Sequence, residues 1–143
     1  MGISIYIGEA YLTHEEYDTS LYARVVRTEH HAAPMDCPDV SGKSNGRHLS
    51  HSRMSDFADK TGTKKLFYDE DHGLIEPHPG CRKITIEHLE VIQEALNKWK
   101  LAHPDAVQGG NFSEDEVLER LIWFDFWMRW ALINCSVPAI ENY

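Results

Sequence analysis

The sequence predicts an α+β fold, with a small antiparallel sheet from the N-terminal half packed against two long C-terminal helices. Three observations carry this. Ile3, Ile5 and Ile7 alternate with Ser4 and Tyr6, the period of two expected of a half-buried strand. Behind Thr85 as a cap, Leu89, Ile92, Leu96 and Trp99 recur at helical spacing from Ile86 to about Ala102. Ser113 and Glu116 then form a capping box, and the acidic residues 114–116 suit the positive end of a second long helix reaching about Asn134.

The remaining elements follow in chain order. The first strand extends towards Leu12, and Thr13-His14-Glu15-Glu16 has the form of a capping box that opens a short helix to about Ser20. Leu21 to Glu29 is rich in β-branched residues and predicts a second strand, with continuation of the helix as the alternative. Pro, Gly, Ser, Asn and Asp dominate from His30 to Ser52, which predicts one long loop; loops of that length are usually functional or mobile. Met54, Phe57 and Ala58 place a helix over Arg53 to Lys60, with Gly62 as its stop. Lys65 to Tyr68 reads as a third short strand, and Asp69 to Lys83, with Pro77, Pro79 and Gly80, as irregular chain. His103-Pro104 ends the first long helix, and the second stops before Pro138. At 143 residues the chain is expected to be one domain, 1–143, burying about 68–70% of its unfolded surface.

Composition narrows the function. The formal charge is -9, from 14 basic and 23 acidic residues, the opposite of the balance a generic nucleic-acid binder carries. Cys37, Cys81 and Cys135 are odd in number and far apart, and the apolar start Ile3 to Ile7 is broken at once by Gly8 and Glu9. A cytoplasmic protein with reduced thiols is expected. The longest apolar run, Leu121 to Cys135, carries Asp125 and Arg129 and is too short to cross a bilayer, so no membrane partner is expected.

The last helix reads Trp123-Phe-Asp-Phe126-Trp127-Met-Arg-Trp130-Ala-Leu132. With His48-Leu-Ser-His-Ser-Arg-Met-Ser-Asp-Phe57 and His78-Pro-Gly80, it resembles a pattern of small phage, prophage and bacterial proteins with no assigned activity. These segments cover about a third of the chain. The resemblance implies a phage-type or bacterial context and transfers no site residues.

Chemistry concentrates in a local reversal of charge. Val40 to Ser55 contains no acidic residue but holds Lys43, Arg47, Arg53, His48 and His51, and it leads into a helix N-terminus at Ser52-Arg53. Free N–H groups and the dipole there favour an anion that Arg and Ser side chains complete. Gly42 and Gly46 would allow close backbone approach. The expected ligand-binding set is Lys43, Asn45, Arg47, His48, His51, Ser52 and Arg53. Its expected function is non-enzymatic capture of a small phosphate-bearing ligand such as a signalling nucleotide. In the phage-type context that the resemblance implies, such a protein would be a counter-defence sequestering protein. The plain alternative is a solvated surface loop.

Other templates fit less well. Gly42-Lys43-Ser44 ends like a P-loop, but Cys37 stands where the pattern needs glycine. His48, His51, His78, Cys37 and Cys81 supply zinc-type ligands, yet no Cys-x-x-Cys or His-Glu-x-x-His fixes their spacing. His30 and His31, being adjacent, point to opposite faces of a strand. Asp69-Glu-Asp71-His-Gly73 departs from a calcium loop at its glycine and at Gly80, and no G-x-S-x-G elbow occurs. No metal, cofactor or catalytic residue is therefore expected; a zinc hydrolase using His48, His51 and a carboxylate is the third alternative. The second is a protein–protein inhibitor or adaptor that uses its acidic surface or last helix. That helix is apolar around nearly its whole circumference from Leu121 to Ile133, with an Asp125–Arg129 pair expected at i,i+4. Trp123, Trp127 and Trp130 would then form the interface of a homodimer, or else an ordinary core.

Overall fold

Strand β1 (Gly2–Thr13) organises the sheet. The computed structural model describes residues 2–13, 22–28, 33–39, 43–76 and 78–143, with Tyr22 as backbone. On one edge the first half of β1 pairs with β3 (Gly46–Ser50), from Gly2 opposite Ser50 to Tyr6 opposite Gly46. The other edge takes β5 (Pro138–Asn142), from Ile5 opposite Asn142 to Glu9 opposite Pro138, and β5 in turn pairs with β4 (Gly80–Lys83). The far half of β1 pairs with β2 (Tyr22–Val25). Every pairing is antiparallel, in the order β2-β1-β5-β4 with β3 also beside β1.

Four helices complete the described chain: α1 (His51–Thr61), α2 (Lys64–Tyr68), α3 (Ile86–Ala102) and α4 (Ser113–Asn134). The alternation seen in the sequence decides which side of the sheet they cover. Ile3, Ile5 and Ile7 are buried, and Leu49 and Ile140 join them from the neighbouring strands. On that face they meet Met54 and Phe57 of α1, Leu89 and Ile92 of α3, and Leu121, Phe124 and Met128 of α4 in one core. Rings of Phe57, Phe67 and Phe124 meet with centroids 5.0–6.3 Å apart. Each such fully buried side chain stabilises the fold by about 1.5–3 kcal/mol.

The α+β class stands, with both long helices where their periodicity puts them, but the sheet draws strands from further along the chain. The stretch 46–50 is β3 rather than part of a long loop, because Gly46 admits the Tyr6 ring: a Cβ there would collide with it. The stretch 64–68 is helix α2, not a strand, and it buries Phe67. Within the segment read as irregular, 80–83 forms β4. Helix α1 starts two residues earlier than expected, with Ser50 as its cap, and ends at Gly62 in the left-handed conformation (φ 69°). Helix α3 is capped by Thr85 as expected, and His88 closes the box by accepting from the Thr85 N–H. In α4 the capping position is Phe112, one residue before the expected Ser113, and Asp115 rather than Glu116 reaches back to its N–H at 3.1 Å. The Asp125–Arg129 pair forms at 3.2 Å. The helix expected over Thr13–Ser20 lies, beyond Thr13 itself, outside the described residues. Among those described, no helix is long and apolar enough to cross a membrane.

Candidate functional site

The residues of the basic island do not converge on one site. Strand alternation separates its two central members: His48 lies opposite Ser4 on one face, whereas Arg47 lies opposite Ile5 on the helix-covered face. The His48 Nδ1 is 2.5 Å from Ser4 Oγ, and His51 turns towards His78, their rings 5.0 Å apart. Asn45 is buried and fully engaged by backbone, which removes it as a ligand contact. Lys43 takes a left-handed backbone (φ 60°) near Cys37. The Ser52 hydroxyl contacts that of Ser50, and Ser50 Oγ accepts the Arg53 N–H at 3.1 Å. The first turn of α1 therefore has a side-chain cap on one of its N–H groups, that of Arg53. Gly42, His30 and His31 lie outside the described residues.

Two of the predicted residues, Arg47 and Arg53, are each coupled to a third arginine, Arg120, that the sequence did not single out. Arg120 from α4 lies within electrostatic reach of Arg47 from β3 and, separately, of the exposed Arg53 from α1. Burial lowers the Arg47 pKa, and the charge of Arg120 lowers it further; burial also lowers that of Arg120, with Arg53 adding to the effect. The Arg120 side chain is only 9% exposed. Among the described residues, neither Arg47 Nη1 nor Arg120 Nε has a hydrogen-bond partner, and both atoms are buried. Buried donors on charged groups are rarely left this way, because the missing bond forfeits more than a neutral one would.

Three carboxylates stand nearby, two of them committed elsewhere. Glu116 reaches the other end of Arg120 at 3.8 Å, a long contact from a side chain 55% exposed. Glu119 accepts the Gly109 N–H, and Asp56 pairs with Lys60 at 3.0 Å. Arg120 reads in sequence as the exposed partner of Glu116 at i,i+4. The signal that locates it is position: Trp123 and Trp127 follow at +3 and +7, which puts Arg120 on the buried face of α4. Trp123 donates its indole N–H to Ser44 O at 2.9 Å, tying this face of α4 to the residues just before β3.

Trp123 and Trp127 have no exposed surface in the chain, so they belong to the core rather than to an outer interface; Trp130 is half-buried.

The opposite face of the sheet holds a second polar cluster, and there the groups satisfy one another. Glu141 is 4% exposed and accepts from the Val25 N–H at 2.7 Å and from Arg27 at 2.7 and 3.2 Å, with Arg24 at 3.3 Å. The Arg27 guanidinium lies 3.7 Å over the Tyr6 ring, which stacks parallel on Tyr143. On the helix-covered side of β5, next in sequence to Glu141, Asn142 is bonded to His78. A cleft of about 390 Å³ borders this cluster, with Arg24, Cys81, Glu141 and Tyr143 in its walls. Burial, reinforced by the Glu141 charge, pushes the Cys81 thiol up to about 11, so it is not a thiolate at neutral pH. Among the described residues, no three His, Cys, Asp or Glu side chains gather as a metal site. Comparisons with protein-family models, with curated proteins and with solved structures found no match to this chain.

Proposed function

We propose that the chain is a non-enzymatic binding protein for a small phosphate-bearing ligand, held by Arg47 and Arg120 with the exposed Arg53 at the edge of the site. The observation that supports this is the pair of unmet buried donors, Arg47 Nη1 and Arg120 Nε, on two arginines within electrostatic reach of each other, with the exposed Arg53 acting on Arg120. An oxyanion that accepted from both would replace two missing hydrogen bonds with charge-assisted ones. It would also offset the mutual repulsion of the guanidinium groups. Phosphate suits arginine because its oxygens match the fork of N–H donors, as those of a carboxylate do. In the phage-type context implied by the last helix, the protein would act by sequestering a signalling nucleotide in the cytoplasm.

Calorimetric titration of the wild type against inorganic phosphate and a panel of mono-, di- and cyclic nucleotides tests this. Each charge-assisted hydrogen bond contributes about 1.5–3 kcal/mol, so Arg47→Ala or Arg120→Met should weaken binding by roughly ten- to over a hundredfold. Arg47 sits in a strand and is half-buried, so circular dichroism must show that each variant keeps its fold. A wild type that binds nothing in the panel sinks the proposal.

A further inference from the structure

We infer that the concave face of the sheet binds a small aliphatic carboxylate, with its head on Arg24 and its chain in the apolar hollow beyond. This site is separate from the one proposed above, since Arg47 lies on the helix-covered face. Strands β2 and β4 stand at opposite ends of the strand order, with β1 and β5 between them. Yet Ala23 of β2 and Cys81 of β4 line the same two cavities, so the sheet curls and its inner face holds one groove. The cleft of about 390 Å³ beside Glu141 is one half of it. The other half, about 280 Å³, continues past Ala23 and Cys81 to Ala10, Leu12 and Ala139. Together they reach the size of a small-molecule site. Small side chains make the hollow: strands more often carry β-branched or aromatic residues, and one of these at Ala10, Ala23 or Ala139 would fill it.

The two halves differ in chemistry. In the first, the charged side chains in the walls are Arg24 and Glu141. Glu141 is shared between Arg24 and Arg27, so two guanidinium groups face one carboxylate. A second carboxylate would balance these side chains. Arg24 meets Glu141 through Nε at 3.3 Å, and among the described residues neither of its Nη atoms is hydrogen-bonded. That edge of the guanidinium is a fork that matches the two oxygens of a carboxylate. The second half is walled by Leu12, Val137 and the alanines, with Arg82 and Lys83 at its rim. Arg82 is turned away to donate to Glu76 O at 3.0 Å, and the exposed Lys83 can lay its stem on the wall with its charge in water. Leu12 and Val137 are exposed here, so an alkyl chain would cover apolar surface left bare among the described residues. A bare anion would leave the hollow empty, and an alcohol would leave the guanidinium unmet.

The test is calorimetric titration of the full chain with butanoate, hexanoate, octanoate and 1-octanol. Affinity should rise about fourfold for each methylene added to the acid. Octanoate should bind about tenfold or more tighter than 1-octanol, because only the acid makes the charge-assisted pair. Arg24→Gln should erase that preference. Ala23→Leu, which fills the waist between the two halves, should weaken octanoate about tenfold or more, with circular dichroism to check that each variant is folded. A further readout needs no substitution. Cys81 lies at the waist, so bound octanoate should slow its labelling by a maleimide, located by mass spectrometry, and leave Cys135 labelling as it was. Octanoate that fails to bind, that binds no tighter than 1-octanol, or that leaves Cys81 labelling unchanged overturns the inference. Undiminished octanoate binding by a folded Ala23→Leu variant does the same.

Discussion

Asn45 closes a gap that strand pairing leaves open. Strands β3 and β2 share one edge of β1, and between them β1 would expose unpaired backbone. The Asn45 backbone O accepts from Ile7 N at 3.0 Å, its side-chain amide donates to Ile7 O and Val26 O at 2.9 and 2.8 Å, and Oδ1 accepts from Thr28 N. A residue read in sequence as a ligand contact is thus a structural rivet, because an asparagine beside a glycine looks like turn chemistry whichever role it serves. Orphaning a buried backbone group costs about 1–3 kcal/mol, and part of this edge can rehydrate, so Asn45→Ala should destabilise by roughly 3 kcal/mol. Urea denaturation measures it; a midpoint that does not move would show that water fills the gap without penalty. At the same scale the site was half legible. Arg47 and Arg53 stand out as positive charge where an acidic chain has none, whereas Arg120 lies among glutamates and reads as solvated.

Between elements, Glu141 holds β2 against the sheet. Strands β2 and β5 are not ladder neighbours, yet the Glu141 carboxylate on β5 binds the Val25 N–H, Arg24 and Arg27. Burial alone would raise its pKa; the Arg27 hydrogen bond, the Val25 N–H and the two guanidinium charges override burial and hold it below the ordinary value. A carboxyl group depressed in the folded state stabilises the fold fully above its unfolded pKa of about 4.3, and that stabilisation is lost as pH falls through the lower folded value. Removing one partner of a buried pair costs about 3–5 kcal/mol, and Arg24 and Arg27 remain about a third exposed, so Glu141→Gln should fall near the lower end at pH 7. The gap in melting temperature between wild type and variant should narrow below about pH 4. A gap that stays constant from pH 7 to pH 3 would mean that the carboxylate charge is not what binds β2. This strand also shows why part of the fold was illegible. Helices α1, α3 and α4 and strand β1 are long enough for their period to show. Strand β5 has five residues, opens on Pro138, and buries Glu141 and Asn142 beside Ala139 and Ile140, so no alternation marks it. In α2, five residues make little more than one turn, too few to separate a helical period from a strand.

At the scale of the whole molecule, net charge governs association. Leu12, Met35, Leu101, Phe112 and Ile133 are each more than two-thirds exposed. Single apolar side chains at a surface are ordinary and do not by themselves make an interface. They become sites of contact only when nothing keeps two molecules apart. At pH 7 a formal charge of -9 does so, and the net charge vanishes near pH 5.4. Glu141 remains ionised over that range, since its pKa is held below the ordinary value, so its hold on β2 persists. Light scattering from the folded protein should therefore rise as pH drops from 8 towards 5.4, while far-ultraviolet circular dichroism stays unchanged. Added salt should separate charge from shape: at pH 7 it screens repulsion and should raise scattering, whereas at pH 5.4 little repulsion is left to screen. Scattering that stays flat through pH 5.4 would show that the exposed apolar side chains are too dispersed to associate even without repulsion.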